Sequence, residues 1–395
     1  MHLRTLGDLD VEGRRVLTRV DYNVPLQSGQ VVDDTRIVAT LPTLSLLRER
    51  GARVILCSHL GRPGGQVKED LRLAPVAERL TELLGSPVRY ARDTVGAEAR
   101  AMVDALRPGE IGLLENLRFD PREERNDPDF ARLLASLADC FVNDAFGTAH
   151  RAHASTAGVA ALLPSAAGLL MEREIRALTR VLRATEHPFV LMLGGAKVSD
   201  KIGVIENLTQ RADMLLLGGG MANTFLKALG YAVGRSLVED DRLSDATRVL
   251  ALAQERRVQV LLPEDVVVAP SLNAVEQART IAVNELSPTE AIFDIGPRTL
   301  NRFAEVVRGA SLVVWNGPMG VFEVPAFREG TRGVALAVAS CSGFTVIGGG
   351  DTVAALEAFK VTDRIDHVST GGGATLEFLA GKDLPGVRVL MEAER

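Results

Sequence analysis

The chain is poor in cysteine and lysine, has no basic surplus and contains no long apolar run. Cys57, Cys140 and Cys341 lie far apart and are odd in number. This fits neither a disulfide framework nor a metal site; it suits a reducing compartment in which the three thiols act as small buried hydrophobes. With 45 basic and 51 acidic side chains the net charge is -6, so nothing drives the protein as a whole toward nucleic acid or an anionic membrane. Any anion site is therefore a local basic cluster. No apolar stretch reaches membrane-spanning length, and Met1-His2-Leu3-Arg4 runs straight into alternating polar and apolar sequence without a signal-peptide core. A cytoplasmic monomer without nucleic-acid or membrane partners is expected. Only six of the 45 basic residues are lysines, and two of them, Lys197 and Lys201, fall in one loop.

That loop lies at mid-chain, where the apolar run Phe189-Val190-Leu191-Met192-Leu193 meets Gly194-Gly195-Ala196-Lys197-Val198-Ser199-Asp200-Lys201. Glycines let backbone amides approach an anion, and a helical continuation places two lysines four apart on one face. The spacing is not the nucleotide-binding G-x-x-x-x-G-K-[ST] loop, because Ala196 precedes Lys197 and Val198 follows it.

At 395 residues, with 46% hydrophobic and 24% charged side chains, the chain is an ordinary globular protein of two domains. Short apolar runs alternate with helix-period segments: Val16 to Val20, Val54 to Cys57, Ile111 to Leu114, Cys140 to Val142, Phe189 to Leu193, Met214 to Leu217, Val258 to Leu262, Leu312 to Trp315 and Phe344 to Ile347. This predicts an α/β fold of parallel sheets covered by helices, with ligands beyond the carboxyl ends of the strands. A helical pattern from Leu169 to about Ala184, closed by Thr185-Glu186-His187-Pro188, reads as a stiff connector between the domains.

Strand ends in the first half carry Asp21 and Asn23, then His59 and Arg62, then Arg118, then Arg151, with Arg36 opening a helical segment. One arginine alone reads as a surface charge or a carboxylate partner. Together they describe a basic cup for carboxylate and phosphate, which guanidinium groups grip with a planar fork of donors. Strand ends in the second half carry glycines instead: Gly218-Gly219-Gly220, Asn316-Gly317-Pro318, Gly348-Gly349-Gly350-Asp351-Thr352 and Gly371-Gly372-Gly373. Each cluster alone reads as a tight turn or close strand-helix packing. Four of them beside the lysine loop describe a floor of amides for a polyphosphate. Asp351 reads either as a helix cap or as a Mg²⁺ carboxylate, and Glu323 either as a surface charge or as a partner for ribose hydroxyls.

In their order along the chain these motifs resemble the phosphoglycerate kinase family. The resemblance runs through Arg19-Val20-Asp21-Tyr22-Asn23-Val24-Pro25, Ser58-His59-Leu60-Gly61-Arg62-Pro63, Glu115-Asn116-Leu117-Arg118-Phe119, Asn143-Asp144-Ala145-Phe146, the lysine loop, Trp315-Asn316-Gly317-Pro318 and the last two glycine clusters. It implies two Rossmann-like domains joined by a long helix and hinge: residues 1–170 for phosphoglycerate, 171–186 as the connecting helix, 187–378 for nucleotide, and 379–395 returning to the first domain. It assigns Asp21, Asn23, Arg36, His59, Arg62, Arg118 and Arg151 to 3-phosphoglycerate or 1,3-bisphosphoglycerate. Lys197, Lys201, Gly219, Gly220, Asn316, Glu323, Gly349, Gly350, Asp351 and Thr352 fall to ATP or ADP, with Mg²⁺ on Asp351. Arg36, Lys197, Lys201 and the amides at Gly349 and Gly372 are the groups expected to act on the transferred phosphoryl. Tyr22, where the family has phenylalanine, and Gly64, where a charged residue is common, depart from the pattern. No general base is needed, since the accepting carboxylate is already ionised at neutral pH. Two other readings stand beside it. A nicotinamide-dependent dehydrogenase lacks its G-x-G-x-x-G after the first strand; a non-catalytic nucleotide-binding scaffold is not excluded by fold alone.

Overall fold

A computed structural model describes residues 2–392. Packing divides the chain into two units, one formed by the residues up to Arg176 with those from Asp383 onward, the other by Ala177–Lys382. The resemblance implies a first domain to residue 170, a connecting helix at 171–186, a second domain at 187–378 and a returning segment from 379. The first division falls inside the helix Leu169–Leu182, a continuous element that offers no break in packing. The second falls later because Asn207 Nδ2 donates to the Leu379 carbonyl at 2.8 Å, which ties the end of helix Gly373–Leu379 to the second unit.

The first unit holds a six-stranded parallel sheet in the order Val88–Tyr90, Ile111–Leu113, Arg53–Cys57, Arg15–Arg19, Cys140–Asn143, Ser165–Ala167. The earliest of these strands, Arg15–Arg19, sits inside the sheet with Arg53–Cys57 on one side and Cys140–Asn143 on the other. Successive connections therefore leave in opposite directions at its carboxyl end, which opens a crevice there. Its inner positions, like those of its neighbours, are buried on both faces, and so they read as unbroken apolar runs. Val88–Tyr90 and Ser165–Ala167 escaped the apolar-run criterion: the first is a three-residue edge strand only partly buried, and the second is built of Ser and Ala. His2–Leu3 pairs antiparallel with Met391–Glu392, and an Arg4 guanidinium nitrogen donates to the Val389 carbonyl at 2.6 Å. Residues 393–395 of the expected returning segment lie outside the described residues.

The second unit repeats the plan: Gln259–Leu261, Met214–Leu217, Phe189–Leu193, Leu312–Asn316, Phe344–Gly348, His367–Val368, all parallel. Phe189–Leu193, wholly buried, is again the strand at which the order reverses. A three-stranded antiparallel sheet, Asp265–Ala269 with Arg279–Ala282 and Ala291–Ile295, is added to it. The expectation of parallel sheets alone missed it. Both departures from the family pattern have local explanations. Tyr22 is fully buried and its hydroxyl lies 2.8 Å from Thr40 Oγ1. Because Thr40 spends its own proton on the Ile37 carbonyl, Tyr22 is the donor. Gly64 has φ +73° with open space around it, a backbone conformation that charged residues seldom adopt. Cys57 and Cys140 are buried, as expected, but Cys341 is partly exposed, because it sits in the turn leading to Phe344.

Candidate functional site

In the first unit the expected residues gather at the carboxyl ends of the strands. Arg36, carried by the short helix Thr35–Val38, donates to Asp21 Oδ2 at 2.7 Å. Asp21 Oδ1 lies 3.8 Å from His59 Nδ1. Asn23 and Arg118 grip the intervening loop at Gly61 from both sides: Asn23 Oδ1 accepts from the Gly61 amide at 2.8 Å, and Arg118 donates to the Gly61 carbonyl at 2.8 Å. Arg118 is buried, and its Nε lies 3.0 Å from Glu124 without hydrogen-bond alignment. Arg62 and Arg151 make no ion pair with any described residue. Their charge is available for a ligand.

Four further residues, none assigned to the site from the sequence, join this group: Arg19, Ser155, Glu123 and His153. Arg19 is 1% exposed, donates from Nε to Ser155 Oγ at 2.8 Å, and has a terminal nitrogen 3.2 Å from His59 Nδ1. A guanidinium only donates, so His59 accepts at Nδ1 and carries its proton on Nε2. Ser155 Oγ donates to Glu123 Oε1 at 2.5 Å, and the Ser155 amide donates to Oε2 at 3.0 Å. His153 Nδ1 lies 3.8 Å from the same carboxylate. Burial, then the charges of Arg19, Arg118, Arg151 and Arg36, hold His59 well below its ordinary range. Burial with Arg19, Arg118, Arg151 and His150 lowers His153 to about 4. Both rings are neutral at pH 7. The available sequence signals were the arginine closing a buried strand and the second histidine of His150-Arg151-Ala152-His153.

The second unit corrects the picture of its loop. Lys197 and Lys201 do not share a helix face: the helix begins at Ile202, and the stretch before it is a loop. Lys197 is exposed, whereas Lys201 is 7% exposed. Burial lowers the Lys201 ammonium, opposed by the charges of Asp200, Asp351 and Glu239. Several amides of the supposed floor are already taken. Gly195 N donates to the Pro318 carbonyl at 2.8 Å and Gly219 N to that of Met319 at 2.9 Å, while the amides of Val198 and Ser199 go to the Glu239 carboxylate. A methyl group on Gly194 would stand 2.1 Å from the Pro318 carbonyl oxygen, and one on Gly219 would stand 2.7 Å from Gly195 N. These glycines permit backbone to pack on backbone.

The amide sources that fit the expectation are the starts of the helices Gly350–Ala358 and Gly373–Leu379. Gly349 precedes the first with φ +94°, pressed against Asn316. Asn316 is 5% exposed, and its Nδ2 has no protein acceptor. Thr352 Oγ1 accepts from the Gly317 amide at 2.7 Å, which leaves its own O–H to donate. Asp351 is the second residue of its helix and does not cap it; its carboxylate is exposed, with no hydrogen bond or ion pair to a described residue. A cleft of about 710 Å³ collects Gly219, Gly220, Glu323 and Asp351 with apolar Leu237, Ile292 and Val321. Among the described residues no cluster of three or more His, Cys, Asp or Glu side chains forms a metal cage, so a cation here would depend on a ligand's own oxygens.

A doubly wound unit with an arginine cup and a second with a lysine loop, glycine-capped helices and a cleft are the parts of a small-acid kinase. The family model for phosphoglycerate kinase matches residues 6–382, and the chain belongs to that family. The phosphoglycerate kinase of Thermomicrobium roseum is 67% identical over 99% of this chain and 100% of its own length, and that of Moorella thermoacetica 58% identical over 98% and 99%. Among solved structures, phosphoglycerate kinase from Coxiella burnetii superposes with a TM-score of 0.88 at 43% identity, covering 98% of this chain and 99% of that one. The activity is that of the family, reversible phosphoryl transfer between ATP and the carboxylate of 3-phosphoglycerate. The dehydrogenase and scaffold readings fall with that match. No helix among the described residues is long and apolar enough to cross a membrane.

Proposed function

We propose that the cup of the first unit binds 3-phosphoglycerate or 1,3-bisphosphoglycerate and that the second unit binds the magnesium nucleotide, with transfer in line once the units close on both. The observation that carries the first assignment is the pair of uncompensated arginines, Arg62 and Arg151, beside Arg36, Arg118 and a neutral His59. Such a set attracts a multiply charged anion while His59 keeps an Nε2–H donor to offer it. For the second, the buried amide of Asn316 lacking an acceptor supports a ligand oxygen at that point, next to Gly349 and the start of its helix.

Asp351 fits Mg²⁺ of the kind that nucleotide phosphates bring with them: one free carboxylate at the cleft, no cage, and room for waters. Magnesium bound there would neutralise phosphate charge. Lys201, buried and within the field of the Asp351 charge, holds nucleotide phosphate, and Lys197 and Arg36 stabilise the equatorial oxygens of the moving phosphoryl group. Amides at Gly349, Gly350 and Gly372 assist, Glu323 takes ribose, and Gly219 and Gly220 border the base. Thr352 contributes indirectly by fixing Gly317. The acceptor carboxylate needs alignment rather than deprotonation. The enzyme works as a cytoplasmic monomer.

Steady-state kinetics of four variants test this assignment. Arg36→Ala and Lys197→Ala should each lower kcat by about 10²-fold or more. Arg62→Ala should chiefly raise KM for 3-phosphoglycerate, and Lys201→Ala should chiefly weaken ATP. Near-parental turnover in Arg36→Ala and Lys197→Ala, or KM effects on the opposite substrates, would refute it.

A further inference from the structure

Glu239, which the assignments above leave without a role, makes the densest set of contacts to the lysine loop. Its carboxylate accepts the amides of Val198 and Ser199, the latter at 3.2 Å, and the Ser199 hydroxyl at 2.7 Å. Those residues lie between Lys197 and Lys201, outside helix and strand, in a turn held internally only by the bonds from Lys201 N and Ile202 N to the Val198 carbonyl at 2.9 and 3.1 Å. An anion receiving adjacent backbone amides fixes a loop as a phosphate would. Here the protein supplies that anion itself.

Glu239 is in turn fixed from the other side. Its amide donates to Thr224 Oγ1 at 3.1 Å, and Asn223 Nδ2 donates to the Leu237 carbonyl at 3.2 Å. Asn223 and Thr224 belong to the helix Gly219–Ala228, whose first two residues border the cleft. Leu237, 59% exposed, lines the cleft as well, and a methyl group on Gly220 would come within 3.2 Å of its Cδ2. The strap Leu237-Val238-Glu239 therefore joins a cleft-facing side chain to the loop carrying both lysines.

We propose that Glu239 is a positioning residue: its carboxylate holds the loop in the conformation that presents Lys197 and Lys201 to nucleotide phosphate. This rests on the assignment of those lysines to the nucleotide. Losing the carboxylate frees two amides and a hydroxyl and lets the lysines move, and displacements of this size at a reacting centre reduce rate on the order of 10- to 10²-fold. Because the strap also meets the cleft beside Gly220, the effect belongs to the nucleotide side of the reaction alone.

The test compares Glu239→Ala, Glu239→Gln and Ser199→Ala with Lys197→Ala and Lys201→Ala in the full-length enzyme. The expected result is a fall of about 10-fold or more in kcat/KM for ATP in Glu239→Ala, with KM for 3-phosphoglycerate within twofold of the parent. Ser199→Ala should show a smaller loss of the same kind. Added acetate or formate should restore part of the Glu239→Ala activity by occupying the freed amides, and should do nothing for Glu239→Gln, whose amide fills the space. Parental ATP kinetics in Glu239→Gln and Ser199→Ala, or equal losses toward both substrates without rescue, would overturn the proposal. If Glu239→Ala does not fold, Glu239→Gln and Ser199→Ala decide by the same split. Lysine variants indistinguishable from the parent would instead overturn the assignment beneath it.

Discussion

Arg19, His59, His153 and Glu123 form a buried set in which charge is rationed. Burial, with the charges of Arg19, Arg118 and Arg151, keeps both histidines neutral. Glu123 is pushed up by burial and drawn back by Arg19 and Ser155. The pH consequence follows from linkage. His153 titrates near 4 in the native state and near about 6.5 when unfolded, so between these values the unfolded chain binds more protons. The stability that His153 contributes is complete above pH of about 6.5 and is lost as pH falls toward 4. Asp144, raised to about 6, and Asp294, raised to about 7, both chiefly by burial, work in the opposite sense. Their contribution is present at low pH and lost as pH rises through those values. The informative quantity is therefore a difference between proteins. Urea denaturation of His153→Gln and parent between pH 4 and 7 should show a shallower acid-side loss in the variant. Parallel curves would mean that His153 takes up its proton over the same pH range in the native and unfolded states.

At the scale of elements, the two central crevices are made in different ways. In the first unit long side chains fill the crevice; in the second, backbones meet directly, as at Gly194 against Gly317 and Pro318. Gly317 has φ +98°, and a methyl group there would lie 2.3 Å from the Gly194 carbonyl oxygen. Gly317→Ala should cost about 2–4 kcal/mol, since both the backbone conformation and the contact resist it. A urea midpoint unchanged from the parent would show that the loops separate freely. These loops explain much of what the sequence could and could not reveal. Buried parallel strands announce themselves as apolar runs, so Phe189–Leu193 and Met214–Leu217 were legible to the residue. Of the antiparallel sheet, Arg279–Ala282 and Ala291–Ile295 were not, because polar and half-exposed positions interrupt them, while the apolar run Val266-Val267-Val268-Ala269 does not by itself tell an antiparallel strand from a parallel one. Arg62 and Asp351 were legible as charges at strand ends. The burial of Arg19 and the capture of the Val198 and Ser199 amides by Glu239 depend on residues 136 and about 40 positions distant, and no local pattern carries such pairings.

Across the whole molecule, the acid-binding groups assigned here lie in one unit and the nucleotide-binding groups in the other, with the division crossing the helix Leu169–Leu182. On the proposed assignment the two ligands bind different units, and the proposal expects binding of both to bring them together. Small-angle scattering should show a smaller radius of gyration with both 3-phosphoglycerate and magnesium nucleotide than with either alone; identical curves would exclude closure. An ionised carboxylate that takes the phosphoryl group directly from ATP becomes an acyl phosphate, which hydroxylamine traps as a hydroxamate. The enzyme is incubated with ATP, Mg²⁺ and 3-phosphoglycerate in the presence of hydroxylamine, leaving out each component in turn. Hydroxamate that forms only when all are present is the predicted result, and ATP consumption without hydroxamate would contradict it.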